Sequence, residues 1–146
     1  MSRIKKISFL FLITALSLSA QNSIEQDIID IEEKLIEWRR DFHQNPELSN
    51  REFKTAEKIA AHLKALGMEV ETNIAKTGVV GILKGNNPGK VIAIRADIDG
   101  LPVTERNDLP FKSNVKTTFL NTETGVMHAC GHDTHIAILM ATAEVF

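Results

Sequence analysis

Within the eight residues from His128 to His135 the chain places His128, Cys130, His132, Asp133 and His135. Thiolate and imidazole are the common ligands of zinc and related transition metals, and a neighbouring carboxylate can hold a ligating imidazole in one tautomer. A lone histidine is usually a surface or hydrogen-bonded residue. Here four of the six Cys and His residues beyond position 20 fall in one short segment, next to a predicted helix start. A second constellation lies upstream, in Arg95-Ala96-Asp97-Ile98-Asp99-Gly100-Leu101-Pro102. There an apolar run ends in two aspartates and turns at Gly100 and Pro102. The carboxyl ends of strands line the crevice of α/β proteins, so a carboxylate at that point can ligate a metal or orient a metal-bound histidine. The plainer alternative is that Asp97 and Asp99 cap a turn or pair with Arg95.

Three chemistries compete for the histidine-rich segment. A structural zinc site uses four protein ligands, usually in two separated pairs. The second pair is missing, because His43 and His62 sit in predicted helices without matching spacing. A cysteine nucleophile needs a base aimed at it, and a histidine two residues away on a tight segment rarely has that aim. A catalytic metal site keeps open positions and gathers its ligands from distant segments, which suits a partial ligand set.

The elements that must position these groups follow from periodicity. Ile24, Ile28, Ile31, Leu35, Trp38 and Phe42 are spaced 4, 3, 4, 3, 4 and predict one amphipathic helix to about Gln44. Ser23 with Gln26 resembles a capping box at its start, and Asn45-Pro46 stops it. Ser49 and Glu52 form a second candidate capping box. Phe53, Ala56, Ile59, Ala60 and Leu63 mark the face of the helix that follows, and Gly67 is a suitable residue to end it. Strands are expected at Met68–Thr72, Val79–Lys84 and, as a buried strand, Val91–Arg95, with a turn over Gly85–Gly89. Asn107–Asn121 reads as polar and irregular, with Pro110-Phe111 entering a short strand at most. Thr134–Phe146 is apolar and helical. The sum is an α/β fold, a mixed sheet flanked by helices. Glu32-Glu33 is an adjacent acidic pair on the first helix and reads as solvated surface.

Residues 1–20 read as a secretory signal. Arg3, Lys5 and Lys6 precede an apolar run from Ile7 to Leu18, and Ser17, Ser19 and Ala20 supply small residues for a cut near Ala20-Gln21. The run is shorter than the roughly 20 residues a bilayer crossing needs, and no cysteine stands at the cut to carry a lipid. An exported protein, periplasmic or extracellular, without a stable membrane anchor is the expectation. Residues 21–146 then form one domain portion. The formal charge of −2 becomes −5 without the three signal cations, which argues against a nucleic-acid partner. A single cysteine forms no internal disulfide, and metal ligation explains its presence in an exported chain.

Together the two motifs resemble the amidohydrolase branch of the aminoacylase and carboxypeptidase-type metallopeptidases, which includes hippurate hydrolases, N-acyl-amino-acid amidohydrolases and indole-acetyl-amino-acid hydrolases. Arg39-Arg40-Asp41-Phe42-His43, Pro46-Glu47-Leu48, Glu52, Thr55, Thr77-Gly78-Val79-Val80-Gly81 and Asn87-Pro88-Gly89 match the same pattern in order, so the resemblance runs from about Ile31 to Phe146. It implies the N-terminal part of a zinc-exopeptidase-like catalytic domain. It also implies two divalent metal ions (zinc, manganese, nickel or cobalt), with Cys130 and His132 as the first two ligands and Asp97 in a catalytic or orienting role. Asp99 shares the motif without a separate task, and His128, Asp133 and His135 match positions without an assigned role. Gly100 stands where alanine is common.

The resemblance further implies an adjacent glutamate pair, one the general base, then two more histidine ligands and an inserted domain through which members often form homodimers. None of these follows the histidine-rich motif here. Phe146 closes an apolar helix with no cap or polar tail, so the chain reads as an N-terminal fragment, inactive and poorly soluble by itself. The implied reaction is metal-dependent hydrolysis of the amide bond of N-acyl amino acids or short peptides. The alternative is a non-catalytic metal-binding or interaction module, and the coding sequence beyond Phe146 separates the two.

Overall fold

The computed structural model describes residues 24–146, so the expected signal segment and the Ser23 capping box lie outside the described residues. The first apolar stripe forms two helices, α1 (Ile24–Asp30) and α2 (Glu32–Gln44), joined at Ile31. Ile31 keeps near-helical angles, φ −89° and ψ −8°, so the break is slight. The stripe is unevenly buried. Ile31 and Phe42 are buried, while Ile24 and Ile28 remain more than half exposed. Glu32 and Glu33 are exposed in the first turn of α2, as a solvated face requires.

Helix α3 (Phe53–Ala65) is capped differently from the expected box. Its Thr55 N–H and Thr55 hydroxyl both donate to Glu47 Oε2, at 2.8 and 2.9 Å. Glu52 instead accepts from Asn50 N–H and from Thr77 Oγ1, tying the helix entry to the later chain. The far end follows the sequence. Gly67 has φ +79°, its N–H bonds to Lys64 O, and Met68 N–H bonds to Leu63 O, which together satisfy the last carbonyls.

Strands β1 (Glu69–Ile74) and β2 (Gly78–Ile82) lie close to two of the expected strands and pair antiparallel as a hairpin. A second antiparallel hairpin, β3 (Lys116–Phe119) and β4 (Thr122–Gly125), occupies part of the stretch expected to be irregular. Its turn uses Leu120 at φ 48° and Asn121 at φ 63°, both in the left-handed region that suits a two-residue hairpin turn. Lys-Thr-Thr-Phe and Thr-Glu-Thr-Gly carry almost no apolar alternation, so periodicity could not find them.

The third expected strand is a correction. Val91–Arg95 forms no strand, and Val91 and Ile92 are 97% and 83% exposed. Strand identity needs a neighbour to complete the hydrogen-bond ladder, and among the described residues this run has none. Main-chain bridges to other segments come further on. Leu48 and Gly100 form a parallel bridge and Leu101 and Met127 an antiparallel one. Helix α4 (His132–Val145) then packs across α2. Phe42, Ile136 and Met140 form the core, with Trp38, Ile59 and Ile98 against them. Each such side chain contributes about 1.5–3 kcal/mol when fully buried. The fold is α/β, helices with two separate antiparallel hairpins among the described residues.

Candidate metal centre

The two motifs meet through main-chain bonds. Leu101 N–H donates to Met127 O at 2.8 Å and Met127 N–H donates to Leu101 O at 3.0 Å. Gly100 N–H donates to Glu47 O, and a Cβ at Gly100 would sit 3.0 Å from Pro46 Cβ and 3.1 Å from Val126 Cγ1. The aspartate segment is thus clamped beside the turn that precedes α4. That turn passes through Gly131 at φ +80°, and α4 begins at His132 without a side-chain cap.

His132 is the organised member of the group. Its Nδ1 lies 2.9 Å from Asp99 Oδ1 and 3.0 Å from the Asp99 carbonyl oxygen. Both partners are acceptors, so Nδ1 carries the hydrogen and Nε2 keeps its lone pair. Asp97 Oδ2 stands 4.0 Å from Nε2, beyond hydrogen-bond range. The other Asp97 oxygen pairs with Arg95 Nη2 at 2.6 Å, so the plainer expectation for this aspartate is also present. Arg95 is 86% exposed, and a pair that open adds little stability. Cys130 is an exposed free thiol. His135 is exposed, its ring centroid 5.9 Å from that of His132.

Cys130, His132 and Asp97 are therefore brought to one region, but no three His, Cys, Asp or Glu side chains among the described residues converge as a metal-holding group. The donors present still fit part of a transition-metal site. One imidazole offers a free, pre-oriented nitrogen and one thiol is open, and both are donor types that zinc and related metals take.

The carboxylate that orients His132 is Asp99, to which the sequence motif gave no task of its own. Behind the turn of Cys130 to His132 lies a polar cluster that spacing did not reveal. His43 from the last turn of α2 faces Asp133 Oδ2 with Nδ1 at 2.8 Å and Glu105 Oε1 with Nε2 at 2.9 Å. Arg39 Nε donates to the same Asp133 oxygen at 3.0 Å. Burial pushes the Glu105 carboxyl up, but hydrogen bonds from His43, Ser113 N–H and Asn107 outweigh it and hold the pKa below the ordinary range. His128 is buried, and its two ring nitrogens and Asp133 Oδ1 make no hydrogen bond. Burial lowers the His128 pKa; Asp133 opposes that, while His43 and His132 reinforce it. In the sequence, Arg39 and His43 stand in one matched run and Asp133 in the histidine-rich segment, and no spacing joins the two.

The site thus places an imidazole held by a carboxylate two residues from an exposed thiol. Comparison with known proteins finds similar chains. Residues 93–146 match Peptidase family M20/M25/M40. Thermostable carboxypeptidase 2 of Saccharolobus solfataricus is 49% identical over 121 residues, covering 82% of this chain and 29% of its own length. The N-acyl-L-amino acid amidohydrolase of Geobacillus stearothermophilus is 40% identical over 126 residues, covering 86% of this chain and 32% of its own. A Bacillus subtilis crystal structure, described as a dinuclear metal binding peptidase from the M20 family, superposes with a TM-score of 0.64 at 46% identity, over 74% of this chain and 28% of that one. The chain thus spans about 30% of the length of the relatives it matches.

Proposed function

We propose that this chain supplies one side of a two-metal centre that hydrolyses the amide bond of N-acyl amino acids or short peptides. His132 Nε2 and Cys130 Sγ would hold metal, and Asp97 stands beside them as a further carboxylate. The observation that carries the reading is the pairing of His132 Nδ1 with Asp99, which leaves the other ring nitrogen free, two residues along the chain from an exposed thiol. Names among the relatives support the substrate class, since they include an N-acyl-L-amino acid amidohydrolase and a carboxypeptidase. The dinuclear description of the similar crystal structure supports two ions.

Bound divalent ions supply Lewis-acid polarisation of the substrate carbonyl and a lowered pKa for a coordinated water. The residues of this chain do the positioning. Asp99 fixes the tautomer and angle of His132. The Leu101–Met127 bridge holds the aspartate segment against the ligand turn. No residue here is assigned as the general base. We further propose that residues 1–20 direct export and that the protein works outside the cytoplasm. The charge order of Arg3, Lys5 and Lys6 before the apolar run supports this. No helix among the described residues is long and apolar enough to cross a membrane.

The test is metal content and activity together. The protein as its gene encodes it, beyond Phe146, is expected to carry about two divalent ions per subunit and to hydrolyse N-acyl amino acids until treated with chelator. Retained activity in metal-free protein sinks the proposal, and metal binding without hydrolysis of any acyl amino acid or peptide favours a non-catalytic module.

A further inference from the structure

Helix α4 begins with His132, and locally only main-chain bonds such as Gly131 N–H to His128 O hold its start. No side chain caps it, and the preceding residue is Gly131 in a left-handed conformation. Asp133, one residue into the helix, does not turn back to the exposed N–H groups of its own first turn. Its side chain is 1% exposed and reaches across to α2, where Oδ2 meets Arg39 Nε and His43 Nδ1. A carboxylate taken this far out of water needs charged or hydrogen-bonding partners, and these two are what it has. His43 is itself held from behind. Its Nε2 faces Glu105 Oε1, and Glu105 Oε2 also accepts from Ser113 N–H. The His43 and Phe111 rings meet in a T-shaped contact, with centroids 5.7 Å apart. The ring therefore has one orientation, set by two carboxylates and an aromatic neighbour.

We propose that His43 is a positioning residue for the metal-ligating turn. It fixes the Asp133 carboxylate and, through it, the start of α4 and the placement of His132. This rests on the reading of Cys130 and His132 as metal ligands. Residues that orient ligands from behind typically govern metal affinity by about 10–100-fold.

The test separates the two contacts of the ring. In His43→Asn the side-chain amide can stand in for Nδ1 and keep the bond to Asp133. In His43→Gln it can stand in for Nε2 and keep only the bond to Glu105. Cobalt(II) affinity is measured on the protein as its gene encodes it, by titrating the thiolate-to-cobalt absorption band without substrate. Circular dichroism and melting serve as the fold control. His43→Gln is expected to bind cobalt about 10–100-fold more weakly, with His43→Asn close to wild type. Wild-type affinity in His43→Gln, or equal loss in both variants, overturns the positioning role. Cys130→Ser must abolish the band; if the band survives, the metal-ligand reading fails first, and the His43 result is judged separately from it.

Discussion

Asp99 Oδ1 accepts a hydrogen bond from His132 Nδ1 at 2.9 Å, and the Asp99 carbonyl oxygen lies 3.0 Å from the same nitrogen. One residue thus presents two acceptors to one ring nitrogen. The side-chain contact fixes the tautomer, and the main-chain contact fixes where the ring can sit. This relationship links the end of the aspartate segment to the first residue of α4, across 33 positions of sequence.

Asp99→Ala removes one acceptor and leaves the carbonyl. The expected outcome is a mixed His132 tautomer and a metal affinity lower by about 10–100-fold. Nitrogen-15 NMR of the ring reports the tautomer directly in metal-free protein. A ring still wholly protonated on Nδ1 in the variant would show that the carbonyl alone suffices.

Cys130 is exposed and makes no packing contribution to the core. Cys130→Ala is therefore expected to change stability by no more than about 0.5 kcal/mol while removing metal-dependent hydrolysis. Melting curves and turnover of an N-acyl amino acid, measured on the same preparation, check both halves. Full activity in this variant is incompatible with the assigned ligand set.

The acid limb of stability should carry the mark of Glu105. Its folded pKa lies below the ordinary glutamate value of 4.5, because hydrogen bonds from His43, Ser113 and Asn107 outweigh the opposing effect of burial. A depressed carboxyl favours the folded state in its charged form. Its contribution is fully present above pH 4.5 and is lost as pH falls through the lower folded value. Glu105→Gln is expected to cost about 1–3 kcal/mol near neutrality and to flatten the fall in stability below pH 4.5. Urea denaturation over a pH series reads both. An acid limb of unchanged steepness in the variant assigns the loss to other carboxylates.

Glu47 caps α3 from outside the helix, through Thr55 N–H and Thr55 Oγ1. Glu47→Ala leaves both donors without that partner and is expected to lower stability by about 1–2 kcal/mol. Ser49→Ala, at the position where the capping box was expected, should change little. Thermal melts of the two variants decide between the capping schemes.

Much of the helical framework was legible because helices carry their own signals. The spacing of Leu35, Trp38 and Phe42 put α2 in place, and Gly67 ended α3 through a left-handed conformation that a side chain disfavours. The first hairpin was legible from its apolar runs. The second was not, since its strands are polar and its turn is made by Leu120 and Asn121. Val91–Arg95 shows the opposite failure. Its composition suits a buried strand, yet the ladder partner that would make it one is not among the described residues.

The sequence by itself determined which donor groups the candidate centre has available. A thiol and an imidazole at Cys130 and His132, with aspartates in a second motif, are donor types whose identity no fold can change. Only the tertiary structure decided which aspartate serves which ring nitrogen. It gave Asp99 to His132 Nδ1, left Asp97 at 4.0 Å from Nε2, and joined His43 to Asp133 across 90 positions. The physical reason is that hydrogen bonds are directional and short. Spacing along the chain states which groups are available, while distances of about 3 Å are settled only when helices and bridges from separate segments pack together.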